Sequence, residues 1–228
     1  MGQPMLANLV RKGFEALAYD VVPAALDAAA KLGAKRAGSV REAAAECDLV
    51  ITMLPSSANV EAVYLGFAGI IESATAGRLC VEMSTIDPGT SQRVAARLKE
   101  RGVRFLDAPV SGGVGGAVAG TLAIMIGGDA ADLEEARPAL AAMGSNIIHV
   151  AAVGAGEVAK FCNNLISGSA LVAVAEAFRI GEAFGVTRRS SRMSSRNLRA
   201  PPGSWSTGIR SRGSPRRPHR AAITHRGS

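Results

Sequence analysis

Over residues 1–150, short helical and strand-like stretches alternate, and this alternation constrains the fold more than any other feature of the sequence. It is the pattern of a parallel sheet wrapped by helices on both faces, an open, doubly wound α/β architecture. A helical pattern runs from Met1 to Lys12 and stops at Gly13. Phe14 to Tyr19 reads as a strand that ends at Asp20. Helices are expected around 23–31 and 40–46, with Gly33 and Lys35-Arg36 between them. Leu49-Val-Ile-Thr-Met-Leu54 has the β-branched content of a buried strand, closed by Pro55. Leu79–Met83, Val103–Leu106 and Thr121–Ile126 read as further strands, and Asp87-Pro88 starts a helix. From Glu157 to Phe184 only Gly168 and Gly181 interrupt a helical run whose faces are nearly all small or apolar. That helix is expected to be buried within the protein or between subunits.

Charge separates the chain into two parts. The formal net charge is +7, from 26 Lys and Arg against 19 Asp and Glu. Eleven of those basic residues, all arginine, fall between Thr187 and Ser228, where there is no acid. Residues 1–186 therefore hold 15 basic against 19 acidic side chains, a net charge of −4. The expected organisation is an α/β domain over 1–150, an interdomain helix and the start of a helical domain over 151–186, and a disordered Arg-rich tail over 187–228. Because the body is acidic, the tail predicts at most salt-sensitive, sequence-independent contact with nucleic acid. Cys47, Cys80 and Cys162 are odd in number and scattered, which suits reduced thiols and gives no metal-ligand spacing. The chain opens without a basic-then-apolar leader, and no uninterrupted apolar run approaches bilayer-spanning length. These readings predict a cytoplasmic protein that uses neither membrane nor metal.

A few short strings carry chemistry. A dinucleotide site needs a strand, a G-x-G-x-x-G turn and a helix whose first amides hold the pyrophosphate. Gly2 stands where the last glycine of such a turn would stand. Asp20 follows 18 residues later, near the spacing of a carboxylate that accepts ribose hydroxyls and disfavours a 2′-phosphate. Asp20 reads equally well as a plain turn residue at a strand end. Met53-Leu54-Pro55 and Ser84-Thr85-Ile86-Asp87-Pro88 both close strands at the carboxyl edge of the sheet, where open α/β folds bind ligands. In Asp107-Ala-Pro-Val-Ser111-Gly112-Gly113, two glycines expose backbone N–H groups that can hold a carboxylate, although such strings are often simple loops. Lys160 and Asn164 lie four apart on one helical face, and Lys160 alone would read as a surface lysine.

Together the strings MGQPM (1–5), AYD (18–20), ITMLP (51–55), MSTIDPGT (83–90), FLDAPVSGG (105–113), GTLAIMIGGD (120–129), MGSNIIHV (143–150) and GAGEVAKFCNN (154–164) resemble the β-hydroxyacid dehydrogenase family. Within it the 3-hydroxyisobutyrate dehydrogenases are most similar, and the resemblance extends to about residue 186. It implies a Rossmann-type sheet followed by a long interdomain helix, NAD as cofactor, and Lys160 as the catalytic lysine. It implies that Ser111, Gly112, Gly113 and Asn164 hold the substrate. It places Leu54, Pro55, Asn59 and Thr85, with Gly2 and Asp20, beside the cofactor.

The implied reaction oxidises 3-hydroxyisobutyrate to methylmalonate semialdehyde in valine breakdown, with homo-oligomeric relatives. Reductases of tartronate semialdehyde, glyoxylate or succinate semialdehyde are alternatives within the family. Compared with the family, the chain is expected to lack a first strand and two turn glycines before Gly2. It is also expected to lack most of a helical domain after Val186, where out-of-frame reading of a GC-rich gene would produce the Arg/Ser/Pro/Gly composition. Two further readings are therefore an inactive product and a non-specific nucleic-acid binder acting through the arginines.

Overall fold

The computed structural model describes residues 1–186; the tail expected to be disordered, 187–228, lies outside the described residues. The described elements run α1 (Gly2–Arg11), β1 (Leu17–Ala18), α2 (Pro23–Lys31), β2 (Lys35–Arg36), α3 (Val40–Glu46), β3 (Leu49–Thr52), α4 (Ser57–Leu65) and α5 (Ile70–Ser73). They continue with β4 (Leu79–Glu82), α6 (Pro88–Lys99), β5 (Arg104–Asp107), β6 (Val110–Ser111), α7 (Gly113–Ala119), β7 (Leu122–Gly127), α8 (Ala130–Met143), β8 (Gly144–Ala151) and α9 (Ala155–Ala183). The chain forms two compact units, residues 1–169 and a second beginning at Ala170.

Local signals account for several helix starts. Ser39, Ser56, Asp87 and Asp129 each cap a helix by accepting a backbone N–H, and Asp87 is followed by Pro88 in the first turn. The helices over 23–31 and 40–46 form as the sequence predicts. The strand expected from Phe14 shortens to Leu17–Ala18, because only Lys35 and Arg36 pair with it. Helices α4, α5, α7 and α8 and strand β8 have no counterpart in the sequence reading. In α8 the interior Pro138 obscures the pattern, yet Asp129 caps its start and Leu133, Ala136 and Leu140 are buried.

The sheet is Rossmann-like but mixed, which corrects the expectation of a parallel one. In the order β3-β4-β5-β7-β6, with β8 beside β7, strands β3, β4 and β5 are parallel. Strand β7 runs antiparallel to both β5 and β6 and parallel to β8. A uniformly apolar run such as Leu122–Ile126 is buried whichever way it points, so its composition does not encode direction. Strands β1 and β2 pair in a separate two-stranded sheet.

Alternate residues of β4 point into two cores, which is why this strand carries almost no polar residue. Leu79, Val81 and Met83 join Met5, Leu106, Ile124, Ile126 and Leu140 on one face. Cys80 joins Val60, Tyr64, Val94, Leu98 and Phe105 on the other. The rings of Tyr64 and Phe105 meet edge to face with centroids 5.6 Å apart.

Within the described residues helix α9 is buried only at its start. Its first turn is buried at Gly156 and Glu157, whereas Phe161, Leu165, Ile166, Leu171 and Val172 are exposed. Among the described residues it is also the helix long and apolar enough to cross a membrane, with 29 residues and a mean hydropathy of 1.4 over its best window. Asn163, Asn164, Ser167 and Ser169 break the run in sequence, but Leu, Ile, Val and Ala dominate the average. The criterion is one of length and composition only.

Candidate active site

Of the candidate cofactor residues, Gly2 and Asp20 line one cavity, while Leu54, Pro55, Asn59 and Thr85 follow the carboxyl ends of β3 and β4. The first helical turn of α1 begins at Gly2 with no side-chain cap and no acidic residue, so its amides are free to meet an anion. Gly2, Asp20, Asp48 and Met53 line one cavity of about 790 Å³, walled by apolar residues of α1, α2, β3 and α8. Asp20 is exposed, and its Oδ1 accepts the Val22 N–H at 2.8 Å. The carboxylate therefore serves the turn through one oxygen, in a residue that lines the cavity. Next to this, the Leu54 N–H donates to Ser84 Oγ at 2.6 Å, and the Asp87 N–H donates to Ser57 Oγ at 3.1 Å. These two bonds tie the ends of β3 and β4 together, leaving Pro55 and Thr85 exposed. Asn59 is exposed on the first turn of α4, where its Oδ1 accepts from Ser56 Oγ at 2.6 Å.

The candidate substrate residues lie on β6, the start of α7 and the first half of α9. Gly112 and Gly113 adopt φ of +135° and +61°, a backbone that favours glycine. Val110 and Ser111 pair with Ile124 and Ala123, which fixes the loop from one side. Asn163 Nδ2 lies 3.5 Å from Ser111 Oγ, while Asn164 is exposed. The structure thus brings Asn163, rather than Asn164, to Ser111. Lys160 is half-buried one turn earlier. Burial lowers its pKa from the ordinary value and outweighs the opposing attraction of Glu157.

Sequence reasoning missed the carboxylates that hold this helix in place. Asp107, at the end of β5 and fully buried, accepts the Gly154 N–H at 2.7 Å and the Glu157 N–H at 3.0 Å. A Cβ on Gly156 would stand 2.7 Å from Asp107 Oδ2 and would also meet the Met125 carbonyl, so the helix approaches this closely only with glycine there. The Glu157 side chain, 1% exposed, accepts the Ile86 N–H at 3.1 Å through Oε2. Glu82, also fully buried, accepts the Ser84 N–H at 2.9 Å. Burial is the main cause that pushes Glu82 up to about 7 and Glu157 up to about 8, with neighbouring carboxylates adding to it. An acid inside the apolar run Leu79–Met83 and another inside Gly-x-Gly-Glu were the available signals.

Residues 1–153 match the family model described as the NAD binding domain of 6-phosphogluconate dehydrogenase. The chain belongs to this family. Among relatives of this NAD-binding family member, an NAD-dependent L-serine dehydrogenase of Pseudomonas aeruginosa is 46% identical over 186 residues, 82% of this chain and 62% of the relative. A 3-hydroxyisobutyrate dehydrogenase of the same organism is 42% identical, over 79% of this chain and 61% of the relative. The solved structure of a Mycobacterium tuberculosis 3-hydroxyisobutyrate dehydrogenase with L-serine superposes with a TM-score of 0.81 at 40% identity, covering 91% of this chain and 69% of that one. These similarities support the β-hydroxyacid dehydrogenase resemblance. The chain spans about three fifths of the length of these two curated relatives.

Proposed function

We propose that this chain is the cofactor-binding part of an NAD-dependent dehydrogenase that oxidises a small 3-hydroxy acid, with 3-hydroxyisobutyrate the favoured substrate and methylmalonate semialdehyde the product. The observation that carries this reading is a half-buried lysine with a lowered pKa, one helical turn from an Asn that reaches the Ser111-Gly112-Gly113 loop. Residues 1–150 form the dinucleotide-binding domain in this reading, and 151–186 form the interdomain helix.

The residues present fit a dinucleotide. Uncapped amides at the start of α1 suit the pyrophosphate, Asp20 suits ribose hydroxyls, and Leu54, Pro55, Asn59 and Thr85 flank the path at the carboxyl ends of β3 and β4. When bound, the nicotinamide supplies the hydride acceptor for alcohol oxidation. The protein's own task is the proton and the carboxylate. The Gly112 and Gly113 amides and the Ser111 hydroxyl bind the carboxylate, and Asn163 and Asn164 orient the alcohol. Lys160, as the neutral amine, removes the hydroxyl proton as hydride leaves the carbon; as ammonium it returns that proton in reduction. A lysine serves at moderate pH only if its pKa is depressed, and burial provides that direction here.

L-Serine is a second substrate reading, favoured by the 46% identical relative. Both molecules present a primary alcohol two carbons from a carboxylate and differ in a methyl against an ammonium on the middle carbon. The same Lys160 and loop would serve either. The test is cofactor reduction with 3-hydroxyisobutyrate, L-serine and the 2-hydroxy acid lactate. Turnover of the first two and not the third supports the reading. Preference for lactate would contradict it.

A further inference from the structure

The buried acid that opens α9 has no part in the chemistry above, yet it lies one helical turn before the lysine that does. We propose that Glu157, clamped between the Ile86 amide and the Asp107-anchored start of α9, is a positioning residue that governs the charge carried by Lys160. This rests on the reading of Lys160 as the proton-transfer group.

The geometry gives Glu157 two roles. Its backbone N–H is tied to Asp107 on β5, and its side-chain Oε2 is tied to Ile86 in the turn between β4 and α6. The first turn of α9 is therefore fixed to two strand ends, and Lys160, three residues on, is presented from that fixed turn. The second oxygen, Oε1, is buried and has no hydrogen-bond partner among the described residues. An ionised carboxylate with one bare buried oxygen is costly, whereas the protonated acid is tolerable.

The charged groups facing Glu157 are Glu82 from β4, Asp107 from β5 and Lys160 from its own helix. Two are acids that oppose its ionisation, and one is the cation that favours it. Burial, Glu82 and Asp107 prevail, so Glu157 keeps its proton to about pH 8. While Glu157 is neutral, Lys160 is not held as ammonium by an adjacent anion and loses its proton more readily. Once Glu157 ionises, its charge stabilises the ammonium and pushes Lys160 back toward the protonated form. The two groups titrate as a coupled pair. A neutral acid beside the base thus favours alcohol oxidation, and its ionisation favours proton return.

The test reads Lys160 without substrate or cofactor. The chain has five lysines, Lys12, Lys31, Lys35, Lys99 and Lys160, so reductive ¹³C-methylation gives a simple NMR spectrum, with Lys160 assigned through Lys160→Arg. Methylation keeps the charge. In the parent, the Lys160 signal should show a second inflection near pH 8, absent from the other four. Glu157→Gln keeps an acceptor for Ile86 and removes the titration. It should abolish that inflection and move the Lys160 midpoint down by roughly half a pH unit or more. Glu157→Met lacks the acceptor as well as the charge, and should move the midpoint in the same direction. A Lys160 midpoint unchanged in Gln overturns the proposal, as does a shift seen with Met alone, which marks a packing effect. The parent inflection tests the idea even if a variant fails to fold, and its absence counts against it. A moved midpoint without dehydrogenase turnover would leave this inference standing and sink the catalytic reading alone.

Discussion

Asp107 accepts the backbone N–H of Glu157 at 3.0 Å across fifty residues of sequence, and this bond joins the sheet to the helix that carries Lys160. Its other oxygen takes the Gly154 N–H at 2.7 Å, so one buried carboxylate satisfies two amides at the start of α9. Asp107→Asn turns one acceptor into a donor that faces an amide, and should cost about 2 kcal/mol or more of stability. Gly156→Ala should cost roughly 1–3 kcal/mol, because its methyl has no room beside Asp107 and the Met125 carbonyl. Urea unfolding of both variants checks this, and parental midpoints would show that α9 is not anchored there.

Stability should fall as pH rises from weakly acidic to mildly alkaline. Glu82 and Glu157 bind protons more tightly when folded, with pKa values pushed up to about 7 and about 8 from an ordinary 4.5. Between 4.5 and those values the native state holds more protons than the unfolded chain, so each rise in pH favours unfolding. The loss begins above the ordinary value and is complete once pH passes the folded one. Glu82→Gln and Glu157→Gln should each flatten the slope, by on the order of 1–3 kcal/mol across the window. Thermal midpoints between pH 5 and pH 9 read it; a parent that gains stability over that range contradicts the burial argument.

Asp20 should set cofactor preference. Asp20 lines the cavity and its carboxylate would repel a 2′-phosphate, so NAD should bind about tenfold or more tighter than NADP. Asp20→Asn keeps the acceptor for Val22 and should narrow the gap severalfold. Calorimetry with both cofactors decides, and a parent that prefers NADP refutes the assignment.

The alternating architecture was legible because caps and breakers are local. Ser39, Asp87-Pro88 and Gly33 act within a few residues of themselves, and the elements they bound formed where expected. Strand direction was not legible, since Leu122–Ile126 is apolar on both faces and only the pairing of β7 with β5 and β6 reveals the reversal. In the site, Lys160 and the Ser111 loop were visible as strings. The partnership of Asn163 with Ser111 and the cluster of Glu82, Asp107 and Glu157 were not, because each is a contact between residues far apart in the chain. In α9 an apolar face predicts a partner, and among the described residues Leu171 and Val172 are exposed.

The central claim is that Lys160 transfers the proton when a small 3-hydroxy acid is oxidised with NAD. Steady-state NAD reduction by 3-hydroxyisobutyrate should be compared in the protein and in Lys160→Ala, with NAD affinity measured separately for each. The account predicts a kcat lower by roughly 10² or more in Lys160→Ala with NAD affinity retained. A rate within a few-fold of the parent, or a parent that binds NAD and oxidises no 3-hydroxy acid, would contradict it.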